Sequence, residues 1–253
     1  MDSTDLIRLR NHYTDLFEPY RQSLAQKQIE LQLDFCFDEV QRIAQLYQSD
    51  EGYTIIMNGK KLQSDDQFIQ IMDIYHRNLL LGCLSISTPR LRIRRIRTDD
   101  IAEVHQLVIH PRIVERNGYD GERLHRHFDH YFKNVIQNPS EYAIELIEKQ
   151  RLIGMISLRP IDTRAVATLE IGYNINPEHW RKGYAFEALQ ALIQSIFDEL
   201  RFDMVIAGVF DDNIASSKLL LKLGFECEGR VHKAQYFDLY GPRDLIYYAL
   251  QKE

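Results

Sequence analysis

Glu178-His179-Trp180-Arg181-Lys182-Gly183-Tyr184-Ala185 reads as a turn that runs directly into a helix. Gly183 lets backbone come close to a ligand, and Ala185 keeps the helix start uncluttered. A helix start offers N–H groups without intrahelical partners and the positive end of the helix dipole. With Arg181 and Lys182 beside it, this is a site for an anion, most naturally a phosphate. Further along, Asn213-Ile214-Ala215-Ser216 supplies an N-cap at Asn213, and Leu223-Gly224-Phe225 a C-cap at Gly224. Taken singly, the first segment is equally an ordinary strand–loop–helix and the second a well-capped helix. Their succession is what points to a bound ligand.

Other chemistry-bearing residues are less decisive. Glu170 lies on a strand read over 168–175, either available for proton transfer or paired with an arginine such as Arg92 or Arg94. His125, His127 and His130 are dense, but on one helix only 127 and 130 share a face, and no cysteine is near. With Asp129 they read as a solvated or cleft-lining group, and no metal is expected. Cys36, Cys83 and Cys227 are scattered, which suits reduced thiols in a cytoplasmic protein.

The elements that must position these residues fall into two parts. The 253 residues are 45% hydrophobic and 27% charged, ordinary globular values. The net charge of -6 disfavours nucleic acid as a main partner. No apolar run approaches a membrane span, and the acidic start Met1-Asp2-Ser3-Thr4-Asp5, without an apolar stretch, does not read as a signal peptide, so none is expected.

Residues 1–87 carry most of the acidity and few glycines, and read as a mainly helical domain. Leu6, Leu9, Tyr13, Leu16 and Tyr20 share a helical face, as do Phe37, Val40, Ile43, Ala44 and Tyr47, and Phe68, Ile71, Met72, Tyr75 and Leu79. Between them, 53–57 reads as a short strand followed by the hairpin dipeptide Asn58-Gly59. Thr88-Pro89 is the natural joint.

From residue 90 strands and helices alternate. Leu91, Ile93 and Ile96 interleave with Arg90, Arg92, Arg94, Arg95 and Arg97, a strand with one wet face. Asp99 and Asp100 open a helix. Strands follow at 142–147, 152–158, 168–175, 204–210 and 245–250, with helices at 185–200 and 215–223, giving an α/β fold with helices on a mixed sheet.

These residues together resemble the GCN5-related N-acetyltransferase (GNAT) superfamily, in the branch that includes acetyltransferases of ribosomal-protein N-termini. The resemblance is carried by Thr88-Pro89-Arg90-Leu91-Arg92-Ile93, Glu170-Ile171-Gly172-Tyr173, Trp180 to Ala185 with Glu187-Ala188, Asn213 to Ser216, Lys222 to Phe225, Glu228-Gly229 and Gly241-Pro242-Arg243-Asp244. It covers residues 88–253. Trp180 stands where the superfamily usually has Gln or Arg.

The resemblance implies a GNAT-type, mostly antiparallel sheet and acetyl-CoA as cosubstrate, without a metal. It implies that backbone from Ile171 through Tyr173 to Ile175 pairs with the pantetheine arm where the strand splays from its neighbour. It sets the pyrophosphate on the N–H groups of Arg181, Lys182, Gly183, Tyr184 and Ala185, and gives Asn213 a hydrogen bond to pantetheine. Ser216 is implied near the thioester sulfur, assisting the leaving thiolate. Some relatives carry a carboxylate where this chain has Gln235, before Tyr236. Gln235 cannot accept a proton, so water relayed by Glu170, the leading carboxylate, or by backbone carbonyls takes that role.

The implied reaction is direct attack of a primary amine in a ternary complex. The acceptor is a protein N-terminus or a small amine. A CoA-binding sensor without turnover and a toxin-type aminoacyl-tRNA acetyltransferase are the alternatives, the latter disfavoured by charge. The apolar faces within 1–87 need burial against the other domain or a second copy, so a homodimer is a possible assembly.

Overall fold

The computed structural model describes residues 44–49, 52–57, 60–61, 81, 84–161, 163–237 and 241–252. The chain divides into two compact units, 1–83 and 84–253.

In the first unit the described segments include β1 (Ala44–Ser49), β2 (Gly52–Met57) and β3 (Lys60–Lys61), an antiparallel sheet in that order. The pairing of Met57 with Lys60 closes the β2–β3 connection around Asn58-Gly59. Strand β1 corrects the helical face read through Ala44 and Tyr47. Leu46 pairs with Ile55 and Tyr47 with Thr54, and pairing against this β-branched partner overrides the helical spacing. The helical faces read at 6–20, 37–43 and 68–79 lie outside the described residues.

The second unit is built on an eight-stranded sheet. Its strands are β4 (Ile86–Ser87), β5 (Leu91–Arg95), β6 (Glu141–Leu146), β7 (Arg151–Ile161), β8 (Thr168–Ile175), β9 (Met204–Phe210), β10 (Glu226–Phe237) and β11 (Gly241–Gln251). Their spatial order is β10-β11-β9-β8-β7-β6-β5-β4. Every neighbouring pair is antiparallel except β8–β9, which is parallel. Ile86 and Ser87 pair with Ile93 and Arg92, so the sheet begins before the joint expected at Thr88-Pro89.

Helices α1 (Ile101–Val108), α2 (Pro111–Asn117), α3 (Gly121–Arg126) and α4 (Phe128–Gln137) lie between β5 and β6. Only α1, opened by Asp99 and Asp100, is legible in the sequence. The breaks are local: Pro111 occupies the first turn of α2, Gly118 ends it at φ 69°, and the Asp120 carboxylate caps α3 by accepting from the N–H groups of Glu122 and Arg123. Val104, Leu107, Ile113, Phe128, Phe132 and Val135 pack from these helices against Ala143 and Met155 of the sheet. Helix α5 (Tyr184–Asp198) buries Ala188, Leu189, Leu192, Ile193 and Ile196 and packs on β4 and β5. Helix α6 (Ile214–Lys222) follows β9.

Two further readings are corrected. The arginine face of β5 is wet only in part, with Arg92 partly exposed. Arg94 is buried and donates to Asp100 at 2.7 and 2.8 Å, and both Arg94 and Arg92 meet the buried Glu145. Charge at these alternate positions reflects a buried ionic network, satisfied because each partner is also charged. Strand β10 was not foreseen. It is exposed throughout its described side chains, carries positive φ at Gly229 and Lys233, and has two register irregularities, so no alternation marks it.

Candidate active site

Strands β8 and β9 pair only from Thr168–Met204 to Glu170–Ile206. Beyond that they diverge, and Ile171 to Ile175 faces Ala207 to Phe210 across a cavity of about 1200 Å³. The cavity continues to the start of α5, where His179, Trp180, Arg181, Gly183, Tyr184 and Ala185 line it, and to α6 through Asn213, Ala215 and Ser216.

The turn into α5 is shaped to aim main chain at the cavity. Arg181 has φ 60° and Gly183 φ 80°, two left-handed residues in three. Such alternation turns successive N–H groups to one side, the geometry of an anion-binding concavity. The first bond of the α5 ladder runs from the Glu187 N–H to the Gly183 carbonyl, so the N–H groups before it have no partner within the helix.

Glu187 fixes this turn to β5. Its carboxylate accepts from Thr88 Oγ1 at 2.6 Å, from the Arg90 N–H at 3.1 Å and from Arg90 Nε at 2.6 Å. Arg90 Nη1 also donates to the Lys182 carbonyl at 3.0 Å, and its guanidinium lies 4.7 Å from the Tyr184 ring centre. Burial alone would raise the Glu187 carboxyl, but the bonds from Thr88 and Arg90 outweigh it and hold the group below its usual range.

Trp180 ties the same turn to β8. Its indole Nε1 donates to the Ile175 carbonyl at 2.6 Å, and the guanidinium of Arg116 lies 4.6 Å from its ring centre. Arg116 reaches on to Asn213, donating from Nη1 to Oδ1 at 2.8 Å. The same Oδ1 accepts from the Ser216 N–H at 3.3 Å. With its oxygen engaged twice, Asn213 has its amide NH₂ to offer the cavity. Arg116 carried no signal in the sequence because α2 was not recognised there.

At the inner end, Tyr173 Oη and Ser216 Oγ are 2.5 Å apart. Burial pushes the Tyr173 phenol up to about 12, against the bond from Ser216, so it is a neutral hydroxyl near pH 7. Residues 90–226 match the acetyltransferase (GNAT) domain family. This chain belongs to the GNAT family.

Among curated relatives, the uncharacterized N-acetyltransferase YoaA of Bacillus subtilis is 39% identical over 95 residues, 38% of this chain and 53% of that protein. The match therefore spans about half the length of that relative. YnaD of the same organism is 29% identical over 177 residues, covering 67% of this chain and 98% of its own length. Among solved structures, a GNAT-family acetyltransferase from Bacillus anthracis superposes with TM-score 0.57 at 26% identity, covering 66% of this chain and 98% of its own.

Within this GNAT domain, the residues the sequence singled out divide. Ile171, Tyr173, Ile175, Arg181, Gly183, Tyr184, Ala185, Asn213 and Ser216 line the cavity. Lys182 is exposed beside it, its carbonyl held by Arg90. Glu170 is not among the lining residues; Arg159, its neighbour across β7–β8, donates to it from Nε at 2.8 Å. The partner is Arg159 and not Arg92 or Arg94, which serve Glu145.

The histidines also separate. His125 meets His105 at 2.8 Å, His130 meets Asn134 at 3.2 Å, and neither they nor His127 lines the cavity. Among the described residues no group of three ligating side chains is assembled for a metal, and no helix is long and apolar enough to cross a membrane.

One half-buried carboxylate with no signal along the chain does line the cavity. Glu141 opens β6 and stands with Tyr131 and Met155 in the cavity wall. Burial, opposed by Arg95, pushes its carboxyl up to about 7.

Proposed function

We propose that this chain moves an acetyl group from acetyl-CoA to a primary amine by direct attack in a ternary complex. The observation that carries the reading is the gap between β8 and β9, which leads to a helix start whose first N–H groups have no partner within the helix. Backbone of Ile171 to Ile175 has the form to pair with the amides of a pantetheine arm, and the Arg181–Gly183 turn to hold a pyrophosphate. Asn213 offers its NH₂ to a pantetheine carbonyl. Acetyl-CoA supplies the acetyl group as an activated thioester.

The chain's own residues have three tasks. The walls of the cavity hold amine and thioester together, which replaces a bimolecular encounter. A β8 N–H stabilises the charge that develops on the carbonyl oxygen. Ser216, backed by the Tyr173 hydroxyl, delivers a proton toward the departing sulfur, a modest task because a free thiol has a pKa near about 8.5.

The acceptor is a primary amine of a protein N-terminus or a small molecule. Relatives support both classes: a ribosomal-protein-serine acetyltransferase of Escherichia coli is 33% identical over 109 residues. A spermidine N-acetyltransferase of Vibrio cholerae, solved with CoA and spermine, shares the fold at TM-score 0.55. The test is calorimetry with acetyl-CoA, followed by thiol release with N-terminal-serine peptides, N-terminal-alanine peptides and spermidine. Binding with thiol release supports the reading. No CoA binding at millimolar concentration overturns it.

A further inference from the structure

The acyl transfer proposed above needs an uncharged amine, and the sequence offered Glu170 for the proton. The geometry points to a different group: we infer that Glu141 takes the proton from the acceptor amine. The inference rests on the acetyltransferase reading and adds the residue that makes its nucleophile.

Among the residues that line the cavity, the carboxylates are Glu115 and Glu141. Glu115 is exposed on α2, whereas Glu141 is half-buried at the head of β6. Among the described residues, no hydrogen bond or ion pair occupies the Glu141 carboxylate. The nearest cation is spent on main chain: Arg95 donates from Nη1 to the Glu141 carbonyl at 3.0 Å and from Nη2 to the Ile136 carbonyl at 3.1 Å. Glu170 is in the opposite condition, paired with Arg159 and outside the cavity lining.

Register places Glu141 on the row that leads to the site. It pairs with Ser157, and Ser157 pairs with Gly172 on β8. Directly paired residues point to one face of a sheet, and a Cβ at Gly172 would lie 2.6 Å from Ser157 Oγ. Glu141 is thus two strands, roughly 10 Å, from the β8 backbone. A glutamate side chain with an amine, or with one relay water and an amine, spans that distance. Gly172 adds no side chain of its own; the Ser157 hydroxyl leans over it and lies on the row between the two.

The groups that face Glu141 suit a base working near neutral pH. Tyr131 of α4 and Tyr119 line the same cavity, and burial raises both phenols, so they stay neutral. Arg95 of β5 is the counter-charge, and it lowers the Glu141 carboxyl only in part against burial. A carboxylate poised near the working pH is where general-base catalysis is most effective.

The balance is simple. The acceptor arrives as R–NH₃⁺ and one proton passes to Glu141, then to solvent. The freed lone pair forms the C–N bond at the thioester carbonyl, the C–S bond breaks, and the second proton ends on sulfur. The products are R–NH–acetyl and the free thiol.

The experiment compares wild type, Glu141→Gln, Glu141→Asp and Glu170→Gln, using acetyl-CoA with an N-terminal-serine peptide and with spermidine, from pH 6 to 10 on the order of half-unit steps. Glu141→Gln is expected to bind acetyl-CoA as wild type does by calorimetry. Its kcat/KM should fall on the order of 10²-fold at neutral pH, with the deficit shrinking toward alkaline pH where free amine is plentiful. Glu141→Asp should retain the wild-type pH limb at reduced rate. A folded Glu141→Gln with the wild-type profile overturns the inference, as does a limb lost in Glu170→Gln and kept in Glu141→Gln. Carbon-13 titration of the wild-type Glu141 carboxyl gives a readout independent of turnover, and a midpoint in the ordinary range of about 4 to 5 also overturns it. A wild type that binds acetyl-CoA but acetylates neither probe overturns the acetyltransferase reading and this inference together. An active wild type with an indifferent Glu141 overturns only this one.

Discussion

Arg90 and Glu187, 97 positions apart, meet through the Arg90 Nε, its Nη2 and its backbone N–H. One residue directly precedes β5 and the other sits in the first turn of α5, so the pair fixes that turn to the edge of the strand.

Replacing Glu187 with Gln keeps the shape and removes the charge. Folding stability and acetyl-CoA binding should each weaken by roughly 1–2 kcal/mol for a lost charge-assisted contact, with a lower thermal midpoint. Calorimetry and thermal melts with and without acetyl-CoA check this, and a variant that binds and melts as wild type removes the positioning role.

Gly183→Val should fail for two separable reasons. The residue sits at φ 80°, which a β-branched side chain resists, although space itself does not oppose a Cβ, whose nearest neighbour, Arg90 Nη2, would lie at an ordinary 3.4 Å. A left-handed β-branched residue costs on the order of 1–2 kcal/mol of stability. Loss of N–H aim should add a fall in acetyl-CoA affinity, read by calorimetry on the folded fraction. Gly183→Ala should show the same direction with a smaller effect.

Ser216→Ala and Tyr173→Phe probe the hydroxyl pair. Both should lower kcat more than acetyl-CoA affinity, by several-fold to about 10²-fold, because they act as the sulfur departs. A phenol held up at about 12 does not ionise below pH 10, so neither variant should alter an alkaline limb in the assay range. Equal losses in kcat and affinity would make Ser216 a binding residue instead.

Glu141 also makes stability depend on pH. Its carboxyl binds a proton more tightly in the folded chain, about 7, than at its ordinary 4.5. Between those values the folded state holds more protons than the unfolded one. Its stabilising contribution is therefore complete below about 4.5 and is lost as pH rises through about 7. Glu141→Gln should match wild type near pH 5 in urea melts and exceed it at pH 8 by on the order of 1–3 kcal/mol. A constant difference across that range would contradict the shift.

The sequence was legible where local chemistry and tertiary role agree. Gly183, Asn213 and Gly224 keep the roles that their types dictate, at a left-handed turn, an N-cap and a helix end. It was illegible where a residue's role depends on a distant partner. The charge of Glu170 and of Glu141 is the same along the chain. Only the pairing of β7 with β8 gives Glu170 its Arg159, and only the wall of α4 closes over Glu141. The arginines of β5 misled for the same reason, since their counter-charges Asp100 and Glu145 come from separate elements. Tyr173 was expected to act through backbone alone; its hydroxyl finds Ser216 because α6 begins beside the diverged strand.

The short parallel pairing of β8 with β9 has a consequence for the empty protein. Past Glu170 and Ile206, each strand presents main-chain donors and acceptors to the gap with no strand opposite. These are two sheet edges inside one molecule, and an unpaired edge invites any extended chain, a second copy included. On the function proposed above, a bound pantetheine arm would cover them as a strand would. Cosubstrate is then also a guard against self-association: at high concentration the ligand-free chain should aggregate faster than the loaded one, even where both are fully folded.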